Sequence, residues 1–211
     1  EVLKSDRLTT GPAVQAFEEQ LRRVMAVKNA VACSSGTAAL HLALMGLEVV
    51  AGEKVVVPNV TFAATANAVR YIGAIPVISD VDGDTGLMTP ETLAETLERA
   101  APVAAVIPVH MAGQVCDMKA IFAIANQHAA NVIEDACHAI GGFVESGTHK
   151  DPVGSCRYSS ASAFSFHPVK TVAMGEGGAI TTNDEEVAAR MRRLRHHGLR
   201  YRSDGFLIPE Q

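Results

Sequence analysis

The sequence predicts a three-layer α/β/α domain built on a mostly parallel, mixed sheet. Three observations carry that expectation. Short apolar runs such as Val55-Val56-Val57 alternate with segments whose apolar residues recur at helical spacing. The helical segments are long enough to serve as crossovers between parallel strands. Polar and glycine-containing clusters recur where apolar runs end, and ligands bind beyond the carboxyl ends of strands in open sheets of this kind.

Each element has a local reason. Val14, Phe17, Leu21 and Val24 lie on one helical face, with Pro12 near the start, where a missing N–H costs little. Ala30 to Cys33 reads as a short strand. Ser34-Ser35-Gly36-Thr37 is a small-residue turn, and Ala38 to Leu47 a helix. Val55 to Val57 is a buried strand stopped by Pro58. Thr65 to Tyr71 is helical, Ile75 to Ser79 is strand-like, and Asp82 to Thr89 is a polar loop. Thr89 caps a helix over Pro90 to Ala100. A strand over Ala104 to Val109, a helix over Met118 to Ala129 and a strand from Val132 to Asp135 follow. Ala161 to Phe166 and Gly178 to Thr182 are two more strands. Asn183 or Asp184 caps a last helix that runs to about His196 and stops at Gly198. From Arg200 the pattern fades, and Tyr201 to Gln211 reads as an unfinished connection.

Composition narrows the function. The 211 residues are 48% hydrophobic and 19% charged, enough apolar content for a core and too little charge for a disordered chain. The 18 basic and 23 acidic residues leave a net charge of −5, which argues against a general nucleic-acid binder. No apolar run reaches the roughly 18 residues of a membrane helix. Four cysteines without CxxC spacing do not form a disulfide scaffold, so a reducing cytoplasm is the expected setting. No signal peptide is visible, and the chain opens on Glu1 without an initiator methionine, which suggests a trimmed or incomplete chain.

Candidate chemistry clusters at the strand ends. Ser35-Gly36-Thr37 opens a helix whose free N–H groups can hold a phosphate, although an ordinary N-cap has the same wording. No GxxxxGK[ST] loop occurs, and Gly175 to Gly178 precedes a strand, unlike a dinucleotide fingerprint. Glu134-Asp135-Ala136-Cys137-His138 ends an apolar strand. A carboxylate at that depth needs a cation unless it caps a turn, and His138 alone reads equally as a structural histidine. In Ser165-Phe166-His167-Pro168-Val169-Lys170, Lys170 lies between apolar residues and a glycine-rich stretch. Such a lysine loses basicity and can form a Schiff base; alternatively it is a solvated surface lysine. A phosphate cradle, a buried acid and a desolvated lysine together are the parts of a pyridoxal phosphate site.

The stretches LTTGPAVQAFE, SSGTAAL, PNVTFAATANAV, EDACHAIGG, FSFHPVK and GEGGAITTND span residues 8 to 184 in order. They resemble the DegT/DnrJ/EryC1/StrS sugar aminotransferases, pyridoxal phosphate enzymes of aspartate aminotransferase fold type I. The ACHA and FSFHPVK wording is most similar to C4 aminotransferases acting on UDP-linked 4-keto-6-deoxy sugars, as in pseudaminic acid synthesis. The resemblance implies that Lys170 carries the cofactor and moves the proton, while Asp135 pairs with the ring nitrogen. It implies that His138 approaches the ring's 3-oxygen and Phe62 stacks on the ring. Ser165, with Ser35, Gly36 and Thr37, would hold the phosphate; His167 has no assigned role. It also implies a homodimer, an amino-acid donor (glutamate) and a nucleotide-sugar acceptor used for surface polysaccharide or glycan synthesis. Residues 1–198 would form the large cofactor domain, incomplete at its start. Residues 199–211 would begin the connection to a small C-terminal domain. The competing expectation is a truncated relative that binds cofactor without turnover. A metal site is disfavoured, because the histidines and cysteines lack ligand spacing.

Overall fold

The computed structural model describes residues 2–6, 8–9, 11–201 and 207–209. Its strands are β1 (Asn29–Cys33), β2 (Lys54–Pro58), β3 (Ile75–Ser79), β4 (Ala105–Val106), β5 (Asn131–Asp135), β6 (Phe143–Ser146), β7 (His149–Pro152), β8 (Ala161–Ser165), β9 (Gly178–Thr182), β10 (Leu199–Tyr201) and β11 (Leu207–Pro209). The helices are α1 (Pro12–Val24), α2 (Gly36–Gly46), α3 (Ala63–Tyr71), α4 (Pro90–Ala100), α5 (Met118–Gln127) and α6 (Glu185–Arg195). Seven strands form one sheet in the order β1-β9-β8-β5-β4-β2-β3. The pairs β3–β2, β2–β4, β4–β5 and β5–β8 are parallel, and β9 runs antiparallel between β8 and β1. The expected mixed, mostly parallel sheet is therefore observed.

Period-two alternation divides the core into two layers. Val56, Val106, Val132 and Phe164 face α1, α4 and α5. Val55, Val57, Ile133, Ala163 and Ile180 face α2, α3 and α6. This makes three layers, with a helix layer on each side of the sheet. The edge strand β1 is covered by a charged clamp. The Ala32 N–H donates to Glu18 of α1, and Arg195 of α6 donates both to Glu18 and to the Ala32 carbonyl. No helix among the described residues is long and apolar enough to cross a membrane.

The caps follow the sequence closely. Pro12 opens α1, Thr89 and Thr92 form a capping box on α4, and Asp184 accepts the N–H groups of Glu186 and Val187. Three local expectations need correction. The strand over Ala104 to Val109 pairs regularly only at Ala105–Val106, because Pro108 has no N–H to give the ladder; Val109 returns as a single bridge to Asp135. The hairpin of β6 and β7 was not expected, since its polar residues around Gly147 lack apolar alternation. In place of an unpatterned stretch, Leu199–Tyr201 pairs with Leu207–Pro209; residues 202–206, 210 and 211 of the expected connection lie outside the described residues.

Candidate functional site

The parallel strands β1, β2, β5 and β8 all end at one edge, and a cavity of about 350 Å³ opens there. It lies where the chain reverses its order of strand addition, after β2–β3 and before β4. All eight residues expected at the site line it: Ser35, Gly36, Thr37, Phe62, Asp135, His138, Ser165 and Lys170. They come from the ends of β1, β2, β5 and β8 and the loops that follow. Thr61, Val109, Cys137, His167, Val169 and Glu176 also line the cavity.

The N-terminus of α2 points into this space. Ser35 is the helix cap, and its Oγ accepts the Ala38 N–H at 3.1 Å. The Ala39 N–H bonds the Ser35 carbonyl. The cap reading of Ser35 therefore holds, and the Gly36 and Thr37 amides are the donors of the first turn left for an anion. Glycine is required at position 36. A Cβ there would sit 2.8 Å from Ser165 Cβ and 2.9 Å from Cys137 Sγ. Gly178 has a matching reason: its Cβ would fall 2.2 Å from the Ser35 carbonyl oxygen, so only glycine lets β9 lie against the turn. The cradle is thus narrow, made of backbone, and flanked by the Ser165 hydroxyl.

Asp135 is buried at the end of β5 on the α2/α3 face. Its Oδ2 accepts the Thr65 hydroxyl at 2.7 Å, and its Oδ1 accepts the Cys137 N–H at 3.3 Å. Hydrogen-bond donors meet this carboxylate. The partner expected from burial is found one residue earlier. Glu134 faces the other side of the sheet, 2.9 Å from Nε2 of the fully buried His110, and it also accepts the Ser159 and Ser162 hydroxyls. Burial pushes the Glu134 carboxyl up, but the His110 ring and the two hydroxyls outweigh it and hold the group below the usual carboxylate range.

His138 is half-buried, and its Nδ1 accepts the Ala112 N–H at 3.4 Å. Burial and the Lys170 charge lower its pKa against the smaller opposing pull of Asp135, so the ring is neutral near pH 7. Burial pushes the Cys137 thiol far up, which keeps it protonated. Lys170 lines the cavity half-exposed, and its loop is open: Val169, Val172 and Met174 are 79%, 44% and 48% exposed. The expectation of a desolvated lysine in a partly apolar site is corrected to a half-exposed one. Phe166 still packs into the core, but the loop beyond it leaves the sheet, and Val169, Val172 and Met174 lie exposed. Phe62 is likewise 71% exposed at the cavity mouth.

The open N-terminus of α2, the Asp135 carboxylate and the Lys170 amine thus line one cavity. The residues present fit pyridoxal phosphate, on the observation that Gly36 keeps the helix terminus open beside Ser165. The chain belongs to the DegT/DnrJ/EryC1/StrS aminotransferase family, whose model matches residues 1–208. It is similar to DesI, solved in the presence of its TDP-sugar product: 36% identity over 90% of this chain and 46% of that one, with a TM-score of 0.79. It is similar to the PLP-form of the sugar aminotransferase Spr1654 of Streptococcus pneumoniae, at 28% identity over 98% and 56% of the two chains, with a TM-score of 0.85. PseC of Helicobacter pylori, an aminotransferase in pseudoaminic acid biosynthesis, matches at 28% identity over 100% and 55%, with a TM-score of 0.86. The chain spans about half the length of the solved relatives it matches.

Proposed function

We propose that this chain is the cofactor-binding part of a pyridoxal phosphate-dependent aminotransferase. The activity moves an amino group from an amino-acid donor, glutamate, to a nucleotide-linked keto sugar. The single observation that carries this reading is the convergence of Lys170, Asp135 and the open N-terminus of α2 on one cavity. Family membership supports the reaction class, and the sugar-linked relatives support the substrate class.

Bound in the cavity, the cofactor supplies an electron sink through which an amine and a carbonyl can be exchanged. The Gly36 and Thr37 amides and the Ser165 hydroxyl hold its phosphate, helped by the positive end of α2. Asp135 would face the ring nitrogen and offer it a carboxylate acceptor. Neutral His138 would donate toward the ring's 3-oxygen, and Phe62 would cover one ring face. Lys170 would hold the cofactor through Nζ, and the same amine would serve as the base that moves the proton of the reaction. The family resemblance favours C4 of a UDP-4-keto-6-deoxy sugar as the acceptor. Residues 1–198 act as the large domain of a cytoplasmic homodimer, and the remainder leads to a small domain.

Turnover of glutamate and a UDP-4-keto-6-deoxy sugar by this chain and by a C-terminally extended version tests the reading. The extended protein is expected to be the better catalyst, because a misplacement of about 1 Å can cost on the order of a hundredfold in rate. Cofactor binding without turnover in the extended protein would favour the competing reading of a non-catalytic relative.

A further inference from the structure

We infer that Thr61 and Thr65 form a directed hydroxyl relay that positions the Asp135 carboxylate and leaves its Oδ1 with acceptor capacity for a ligand. The inference rests on the cofactor reading above and adds two residues to it. Thr65 is fully buried, and its Oγ1 lies 2.7 Å from Asp135 Oδ2 and 2.7 Å from Thr61 Oγ1. A hydroxyl has one proton to give. The carboxylate can only accept, so the Thr65 proton goes to Asp135, and the 2.7 Å contact then has Thr61 donating to Thr65, its other acceptor being the Phe62 carbonyl at 3.3 Å. Every bond in the chain therefore points toward the carboxylate. Thr61 itself lines the cavity, so the relay begins at the site's wall and ends at its buried acid.

The relay fixes the acid's rotation. Oδ2 holds the short bond from Thr65, whereas Oδ1 accepts the Cys137 N–H only at 3.3 Å and keeps the greater acceptor capacity. The two threonines sit at the entry to α3, on the segment that carries Phe62, so one stretch of chain both covers the cavity and aims its acid. Thr65 is a positioning residue here: it acts through Asp135.

The test compares the parent chain with Thr65→Val, Thr65→Ser and Thr61→Val. The probe is pyridoxal phosphate, and the readouts are its dissociation constant and the absorbance band of the bound cofactor, which reports its protonation. Thr65→Val keeps shape and loses the donor, so binding should weaken about tenfold and the band should change. Thr65→Ser restores the donor and should return both readouts to within about twofold of the parent. Thr61→Val should fall between, since Thr65 keeps its own proton. In the ligand-free chain, a slowly exchanging Thr65 hydroxyl proton seen by NMR supports the relay independently of any cofactor. The inference is overturned if Thr65→Val matches the parent, or if Thr65→Ser is as impaired as Thr65→Val. A parent chain that binds no cofactor, yet shows the protected hydroxyl, would sink the cofactor reading and leave the geometry of the relay standing.

Discussion

Glu134 and Asp135 are chain neighbours on one strand, and the sheet sends them to opposite faces. Glu134 sits in a dry pocket with His110, Ser159 and Ser162, and both of its oxygens are taken. Asp135 opens onto the cavity with one strong donor, Thr65, and one weak one. The contrast teaches how to sort buried acids. A carboxylate whose acceptor capacity is spent inside the protein is part of the fold. One with capacity left over, facing a cavity, is part of a site.

The largest expected effect lies on the Glu134 side. Glu134→Ala leaves His110 and two hydroxyls buried without their acceptor, and should cost about 3–5 kcal/mol of stability. That is roughly 10 °C in melting temperature for a domain of this size, read by calorimetry. If Glu134→Ala melts with the parent, the two acids are not divided as argued. Asp135→Asn is the mirror case. It should leave the melting temperature within about 2 °C and slow the half-reaction with glutamate by about a hundredfold or more, as single-turnover absorbance would show. A near-normal half-reaction would remove Asp135 from its role.

Smaller effects sharpen the boundary between fold and site. Gly36→Ala pushes a methyl into Ser165 and Cys137, and should cost about 1–3 kcal/mol while weakening cofactor binding. Titration calorimetry with pyridoxal phosphate measures the second part, and unchanged affinity would show that the helix terminus is not the cradle.

The pH dependences are smaller and separable. The Glu134 carboxyl is lowered from its ordinary 4.5, so the stability it contributes is whole above that pH and is lost as pH falls below it. His138 is lowered from 6.5, so the unfolded chain takes up its proton first, and stability declines as pH falls below 6.5. Melting curves of the parent, Glu134→Gln and His138→Gln across pH 3 to 8 should show the lower transition vanish in the first variant and the upper one in the second.

Much of this was readable from the residues alone. The apolar runs at Val55 to Val57 and Ala161 onward gave strands because buried parallel strands need continuous apolar sequence, and the run at Ile75 to Ser79 gave the half-exposed edge strand. All eight expected site residues converge, because a parallel sheet delivers every strand end to one edge. The relay and the His110–Glu134 pair were not readable. Thr65 reaches Asp135 across 70 positions and His110 reaches Glu134 across 24, and no local pattern marks such a meeting. The need for a buried partner was legible at Glu134-Asp135, but which acid faced which layer depends on strand register. The openness of the Lys170 loop was also hidden, since its apolar neighbours Val169, Val172 and Met174 are exposed.

The most direct measurement is chemical. The chain is loaded with pyridoxal phosphate, treated with borohydride, digested and mapped by mass spectrometry. The account predicts a single phosphopyridoxyl label on Lys170, retained in Glu134→Gln and in Asp135→Asn. Label on another lysine, or none with excess cofactor, would contradict it.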